Sequence, residues 1–478
     1  MNFVGRSALL GQLSGWIEEV ASSGEGRLMV VRGRRQVGKS RLFTEFLKRA
    51  EVPHVFFTAI KDAPTGVQLE ALRRDALDAN PAFAEASALF ESNPSSWTDV
   101  FGRIRLAAQN GAIVAVLDEF PWAAEADPTI EGALQIAWDK HLQHLPVLFI
   151  LVGSDVTMME RVTKHDRPLY GRGREVVVKA FNPAEVAAAL AETSATKAFD
   201  AFLVTGGYPR LVADLAGAGT ITDYLAEGLG DENSNLVVVA ERSLAAEFPK
   251  EAQARRVLTA IGGSEVGSIS FTAAVGRLGD ATSTTHTALT RALKILSDDK
   301  GVVTIDTPAG TDGTSRLRRY RIADPYLRFW FRFVEPEVAN IARGRSDLAI
   351  EGVKTGYSTW RGMAIEPVVH EGLSRLALTV HELSGIATVS AWWNRDNSTQ
   401  VDVVGSTRNG RVEVLGSIKW RERRQFSAEE LEDLAAARAK VPGAARSRLV
   451  AVCPAGVRVR AKPDLAVDSE MLLAAWTS

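Results

Sequence analysis

A single cysteine, Cys453, occurs among the 478 residues. It excludes an intramolecular disulfide and suits a reducing compartment. Neither sign of charge dominates, since the formal net charge is -2. Without a global positive field, any nucleic-acid contact must come from a local patch. No apolar run approaches the ~20 residues a membrane span needs. The opening residues, MNFVGRSALL, lack the apolar core of a secretory signal. The expectation is a cytoplasmic protein with no membrane partner. Internal repeats and low-complexity tracts are also missing. What remains is ordinary for a globular protein, 46% hydrophobic and 24% charged, and long enough for about three domains.

The most informative stretch is VVRGRRQVGKSRL, Val30 to Leu42. Gly33, Gly38, Lys39 and Ser40 fit G-x-x-x-x-G-K-[ST]. Glycines let a backbone fold around phosphates with its N–H groups pointing inward. A helix starting near Lys39 aims its positive dipole end at the same anion. The candidate nucleotide-binding residues are therefore Gly33, Arg34, Arg35, Gln36, Val37, Gly38, Lys39, Ser40 and Arg41. Lys39 would reach the β- and γ-phosphates, and the Ser40 hydroxyl would bind Mg2+. The flanks agree with this reading. RLMVV has the pattern of a buried strand, and SRLFTEFLKRA that of an amphipathic helix.

A phosphate loop needs an acidic partner. AIVAVLDEF, Ala112 to Phe120, is an apolar run ending in two carboxylates. A buried parallel strand would present Asp118 and Glu119 at its carboxyl end, where α/β sheets place ligands. Asp118 would hold Mg2+, and Glu119 would polarise the attacking water as general base. A third apolar run, LPVLFILVGSD, stops at Gly153, Ser154 and Asp155. If it lies between the other two strands, Ser154 or Asp155 faces the γ-phosphate and orients the water. Arg172 and Arg174, in PLYGRGREVVVKAF, either reach a phosphate of their own or a neighbouring subunit's nucleotide, or form a surface pair.

The chain divides into four segments. Residues 1–181 alternate strands and helices, including the strand HVFFTAI, as in a parallel sheet covered on both faces. Residues 182–249 are alanine-rich amphipathic helices interrupted by VTGGYPRLV. Residues 250–334 contain a helix, a helix–turn–helix pair and a β-hairpin, a winged-helix pattern. Its second helix would enter a major groove, and Arg316, Arg318, Arg319 and Arg321 on the wing would meet phosphates. Alternatively the same module packs against protein. DPYLRFWFRFVEPE carries Tyr326, Phe329, Trp330, Phe331 and Phe333, a cluster typical of a core or an interdomain anchor. Residues 335–478 hold helices and several short strands.

These motifs together resemble the archaeal-type ATPases of the AAA+/STAND group along nearly the whole chain. The resemblance rests on FVGR at Phe3 to Arg6, the phosphate loop, DEF at Asp118 to Phe120, and the GS pair Gly153-Ser154. LYGR at Leu169 to Arg172 and GGYP at Gly206 to Pro209 extend it. It implies that the base is adenine, that FVGR lines the adenine side, and that Pro209 lies near the base. The absence of a GTP-type N-K-x-D reader agrees with ATP. It also implies a C-terminal domain similar to the PD-(D/E)xK nuclease fold, with Glu366, Asp402 and Lys419 in the positions of its active-site residues. The usual glutamate two residues before that lysine is here Ser417, a far weaker metal ligand.

The expected fold is α/β: an AAA+-type P-loop parallel sheet, a helical lid, a winged helix, and a restriction-endonuclease-like C-terminal domain with a degenerate site. The expected function is an ATP-binding, ATP-hydrolysing switch with ATP and Mg2+ as ligands. DNA or a protein is its partner, and self-association is compatible with the sequence. Two rival readings stand beside it. One is an ATP-regulated DNA-processing nuclease. The other is an ATP-sensing DNA-binding regulator that does not hydrolyse.

Overall fold

The computed structural model of the chain describes residues 3–78, 88–154, 156–248, 252–265, 267–279, 282–311, 315 and 317–477. It forms two compact units, Met1–Ala180 and Phe181–Ser478.

The first unit is built on five strands: β1 (Arg27–Arg32), β2 (His54–Thr58), β3 (Ile113–Asp118), β4 (Val147–Gly153) and β5 (Gly173–Val177). All are parallel, in the order β2-β3-β4-β1-β5. Every residue of β3 and β4 is buried. Burial on both faces explains why these strands read as unbroken apolar runs rather than alternating ones. One face packs on Trp97, Phe101 and Ile104 of the helix Trp97–Ala108, where the Phe101 and Phe149 rings meet edge to face at 5.9 Å. In register, Arg32 pairs with Gly153 and Thr58 with Asp118, so the carboxyl ends of four strands finish on one rim. That rim positions the candidate site.

Among the described residues, the second unit begins with five helices between Pro183 and Glu247. The first starts with a capping box in which Asn182 and Glu185 satisfy each other's backbone amides. A three-stranded antiparallel sheet follows, β6 (Ser268–Ser270), β7 (Val303–Asp306) and β8 (Arg319–Ile322), in the order β6-β8-β7. It is flanked by the helices Ala252–Gly262, Phe271–Leu278 and Ser283–Lys294. The aromatic cluster is core. Tyr326, Phe329, Trp330, Phe331 and Phe333 are buried, and Trp330 Nε1 donates to Val237 O at 2.9 Å.

The last sheet holds β9 (Thr388–Trp393), β10 (Gln400–Ser406), β11 (Val412–Ile418), β12 (Arg448–Val452) and β13 (Leu465–Val467). Its order is β13-β12-β11-β10-β9. The pairs β9–β10 and β10–β11 are antiparallel, while β11–β12 and β12–β13 are parallel. The helix Glu366–Leu376 precedes this sheet, and Ala428–Ala437 connects β11 to β12. Among the described residues, no helix is long and apolar enough to cross a membrane.

Candidate functional site

The loop between β1 and the helix Lys39–Ala50 turns twice through left-handed backbone, at Gln36 (φ 66°) and Gly38 (φ 85°). Such turns direct successive N–H groups into one concavity. Gly33 is required by close approach: a Cβ there would lie 2.3 Å from Val178 O. Lys39 is 6% exposed and folds back on the loop, donating from Nζ to Gly33 O at 2.8 Å and Arg34 O at 3.0 Å. Burial pushes its ammonium down to about 8, against the opposing pull of Glu119 and Asp118. An amine so depleted of water, held by neutral carbonyls, is poised for an anion.

Asp118 ends β3 and is almost completely buried. Its Oδ2 accepts from Ser40 Oγ at 2.6 Å, and its Oδ1 from the Glu119 N–H at 3.0 Å. Burial raises its carboxyl above the ordinary range, partly offset by the Ser40 bond. The Ser40 hydroxyl and Asp118 carboxylate thus converge on one point. Two hard oxygens suit Mg2+, which takes one or two protein ligands and completes its shell from phosphates and water. Among the described residues, no group of three or more His, Cys, Asp and Glu side chains converges as a self-sufficient metal site.

Glu119 adopts φ 51°, an uncommon conformation for a residue with a Cβ. Its Oε2 accepts from Ser154 Oγ at 2.8 Å and from the Ser154 N–H at 3.2 Å. Strand β4 lies between β1 and β3, which makes this contact possible. Asp155, the alternative to Ser154, lies outside the described residues. Lys39, Ser40, Asp118, Glu119 and Ser154 therefore gather on one rim of the sheet.

Arg172 does not join them. Gly173 pairs with Leu28 at the amino end of β1, so Arg172 sits on the opposite rim, about 13 Å along the strand from the loop. Its guanidinium makes two bonds to Asp139, at 2.7 and 2.8 Å. The expectation that it reaches a phosphate of its own nucleotide is corrected by this strand register. Arg174 lies over the Trp16 ring at 4.9 Å. Pro209 occupies the first turn of the helix Pro209–Ala218 in the second unit, after the left-handed pair Gly206 and Gly207.

Sequence reasoning missed one contact with the phosphate loop. Arg6 Nη2 donates to Val37 O at 2.7 Å, bracing the loop from 31 residues away. FVGR was the only signal, and nothing local in it points to Val37.

In the second unit, Asp402 on β10 and Ser417 on β11 are bonded at 3.1 Å. Asp402 Oδ2 also accepts the Ile418 N–H at 2.8 Å. Both line a groove of about 170 Å³ with Lys419, Glu430 and Asp433. Glu366 instead faces a separate cleft of about 520 Å³, together with Arg319, Arg321 and His370. Burial, reinforced by nearby Asp402, pushes the Glu366 carboxyl up to about 8. The side-chain oxygen that meets Asp402 thus comes from a serine.

Two of the four wing arginines are another correction. Arg319 stacks on Trp393 at 4.1 Å and donates to Asn397 Oδ1 at 2.8 Å and Gln400 Oε1 at 3.2 Å. Arg321 makes two bonds to Asp306, at 2.9 and 3.0 Å. The hairpin leans on the edge of the last sheet, where Ala309 N–H donates to Ala391 O at 3.0 Å. Arg318 is half-buried, and Arg316 lies outside the described residues. Arg319 and Arg321 are therefore committed within the unit rather than offered to phosphates.

Comparison with known proteins gives two family matches. Residues 2–149 match the AAA ATPase domain, and residues 330–432 match a family described as archaea bacterial proteins of unknown function. An uncharacterised protein of Methanocaldococcus jannaschii is 24% identical over 417 residues, covering 85% of each chain. Among solved structures, the Walker-type ATPase of Pyrococcus abyssi is similar at 18% identity and TM-score 0.48, over 69% of this chain and 96% of that one. The Aeropyrum pernix ORC2 protein is similar at 16% identity and TM-score 0.44, over 74% and 97%. Residues 2–149 are thus an AAA ATPase domain, and the chain is an ATPase.

Proposed function

We propose that the chain is an ATP-hydrolysing switch whose nucleotide state controls a DNA-contacting second unit. The observation that carries the catalytic half is the Ser40–Asp118 bond of 2.6 Å beside the Glu119–Ser154 bond of 2.8 Å. In this reading Lys39 leaves Gly33 O and Arg34 O for the β- and γ-phosphates. Ser40 and Asp118 would hold Mg2+, which would neutralise charge on the phosphate oxygens. Glu119 accepts the proton of the attacking water, and Ser154 fixes that carboxylate. Departure of phosphate and then of ADP returns Lys39 to its carbonyls.

The DNA half rests on topology and one helix. The order helix, strand, helix, helix, hairpin between Ala252 and Ile322 supports a winged-helix reading. With Arg319 and Arg321 engaged, the contact face is the helix Ser283–Lys294, where His286, Thr290, Arg291 and Lys294 are exposed. For the last sheet, the order of helix, three antiparallel strands, helix and parallel strand supports a nuclease-like fold. Ser417 beside Asp402, where the nuclease pattern has a carboxylate, supports a site that does not cut.

The experiment is ATP turnover by the full chain with Mg2+, with and without duplex DNA. Stimulation or inhibition of turnover by DNA, lost in an Arg291→Gln, Lys294→Gln variant, is the expected result. Turnover indifferent to DNA in a chain that does not bind it would remove the DNA half. Mg2+-dependent cleavage abolished by Lys419→Ala would favour the nuclease reading instead.

A further inference from the structure

The chain is nearly neutral as a whole, yet two of its loops are strongly basic. The segment after β11, KWRERRQF, carries Lys419, Arg421, Arg423 and Arg424 against one acid, Glu422. The segment after β12, CPAGVRVRAK, carries Arg458, Arg460 and Lys462 against none. Residues distant in sequence are here stapled side by side. Ala455 N–H donates to Arg421 O at 3.1 Å, Phe426 N–H to Gly456 O at 2.9 Å, and Arg458 N–H to Phe426 O at 3.0 Å. Phe426, fully buried, anchors the junction.

Among the described residues, one acid outside the loops pairs with their cations. Arg421 and Arg424 share a single carboxylate, Glu430, each at 2.7 Å. Glu422 is turned to Arg361, at 3.1 Å. Arg423, Arg458, Arg460 and Lys462 are exposed, and none is in an ion pair among the described residues. The position also matters. Both loops leave the carboxyl ends of adjacent parallel strands, the rim where open α/β sheets receive ligands. Lys419 lines the groove of Asp402 and Ser417 at the same rim.

We propose that this rim is a second nucleic-acid surface, which holds a phosphodiester backbone through Arg423, Arg458, Arg460 and Lys462. Backbone phosphates need only fixed cations and carry no sequence requirement. The hydrogen bonds between the loops fix the backbone that carries those cations before binding, so little loop ordering is needed on contact. A bilayer surface is the poorer fit. It would call for an apolar face beside the cations, and the two loops expose a lone large apolar side chain, Val459, at 93%. The surface lies on elements other than the helix Ser283–Lys294, so in this reading the chain contacts nucleic acid through two sets of residues in its second unit.

The test uses the full chain and labelled DNA of one sequence, single-stranded and duplex, with anisotropy followed against salt. The variant is Arg423→Gln, Arg458→Gln, Arg460→Gln, Lys462→Gln. All four side chains are exposed; the thermal melting profile of the full chain serves as the folding control and matches the parent, and ATP turnover without DNA stays at the parent value. Four lost phosphate contacts lower the log–log salt slope by about 3.6 on duplex and about 2.8 on single strands. Whichever form shows the loss is the form held at this rim. The Arg291→Gln, Lys294→Gln variant is measured beside it and retains the contribution of the rim. A rim variant with the parent's slope and affinity overturns the proposal, even if the helix variant loses binding. So does a parent that ignores both DNA forms at low salt, or that binds phosphatidylserine vesicles in their place.

Discussion

At the residue scale, the site is a set of charges held short of their natural partners. Lys39 rests on two carbonyl oxygens, and Asp118 on a hydroxyl and an amide. Lys39→Ala removes the cation we assign to the phosphates, and a charge-assisted contact is worth about 1.5–3 kcal/mol. ATP affinity, read by calorimetry, should fall by roughly 10- to 150-fold; parent-like affinity would show that Lys39 never leaves its carbonyls. That Lys39, Ser40, Asp118 and Glu119 meet on one rim was legible in the sequence, because each follows or ends a strand that reads as a buried apolar run. The Arg6–Val37 brace was not, since it joins positions 31 apart and depends on how the first helix lies. Which of the alternatives open for Arg172 holds was not legible for a related reason. Its neighbours in sequence suggest a phosphate ligand, but only strand register tells which rim it occupies.

At the element scale, two features carry predictions. Gly33 passes so close to Val178 O that an added methyl has 2.3 Å of room. Gly33→Ala must therefore displace backbone, not a pliable side chain. Overpacking of this kind costs about 1–3 kcal/mol, and it should appear as a lower melting temperature together with weakened ATP binding. Unchanged melting and binding would mean that the loop gives way freely. The second feature ties the helix Ala195–Thr205 to Ser346–Ala364 through Asp200 and Arg361, at 2.8 Å. Burial outweighs the attraction of Arg361 and pushes Asp200 up to about 6, with Glu422 adding to the rise. A carboxyl raised in the folded state favours folding at low pH, and that contribution is lost as pH climbs from about 4 to about 6. The parent's stability advantage over Asp200→Asn should therefore shrink by at most about 3 kcal/mol between pH 4 and pH 7. Melting curves of both proteins across that range decide it, and a gap that widens with pH would reverse the assignment. Strand positions were well anticipated here, because buried parallel strands announce themselves as apolar runs. The docking of the hairpin was not, because the stacking of Arg319 on Trp393 joins segments with no shared local pattern.

At the scale of the whole molecule, an ATPase unit precedes a second unit rich in candidate contact surfaces. Composition could not reveal the basic rim, since a net charge of -2 averages it away. It emerges only when β11 and β12 bring two distant loops together. The central claim, hydrolysis by this constellation, is tested most directly by phosphate release from ATP with Mg2+, comparing the parent with Glu119→Gln at saturating nucleotide. The substituted amide retains the size of the carboxylate and the ability to accept from Ser154, but it cannot take a proton. The account predicts ATP affinity within a fewfold of the parent and turnover reduced by about 100- to 10,000-fold. Parent-like turnover in that variant, with ATP bound equally well, would contradict it.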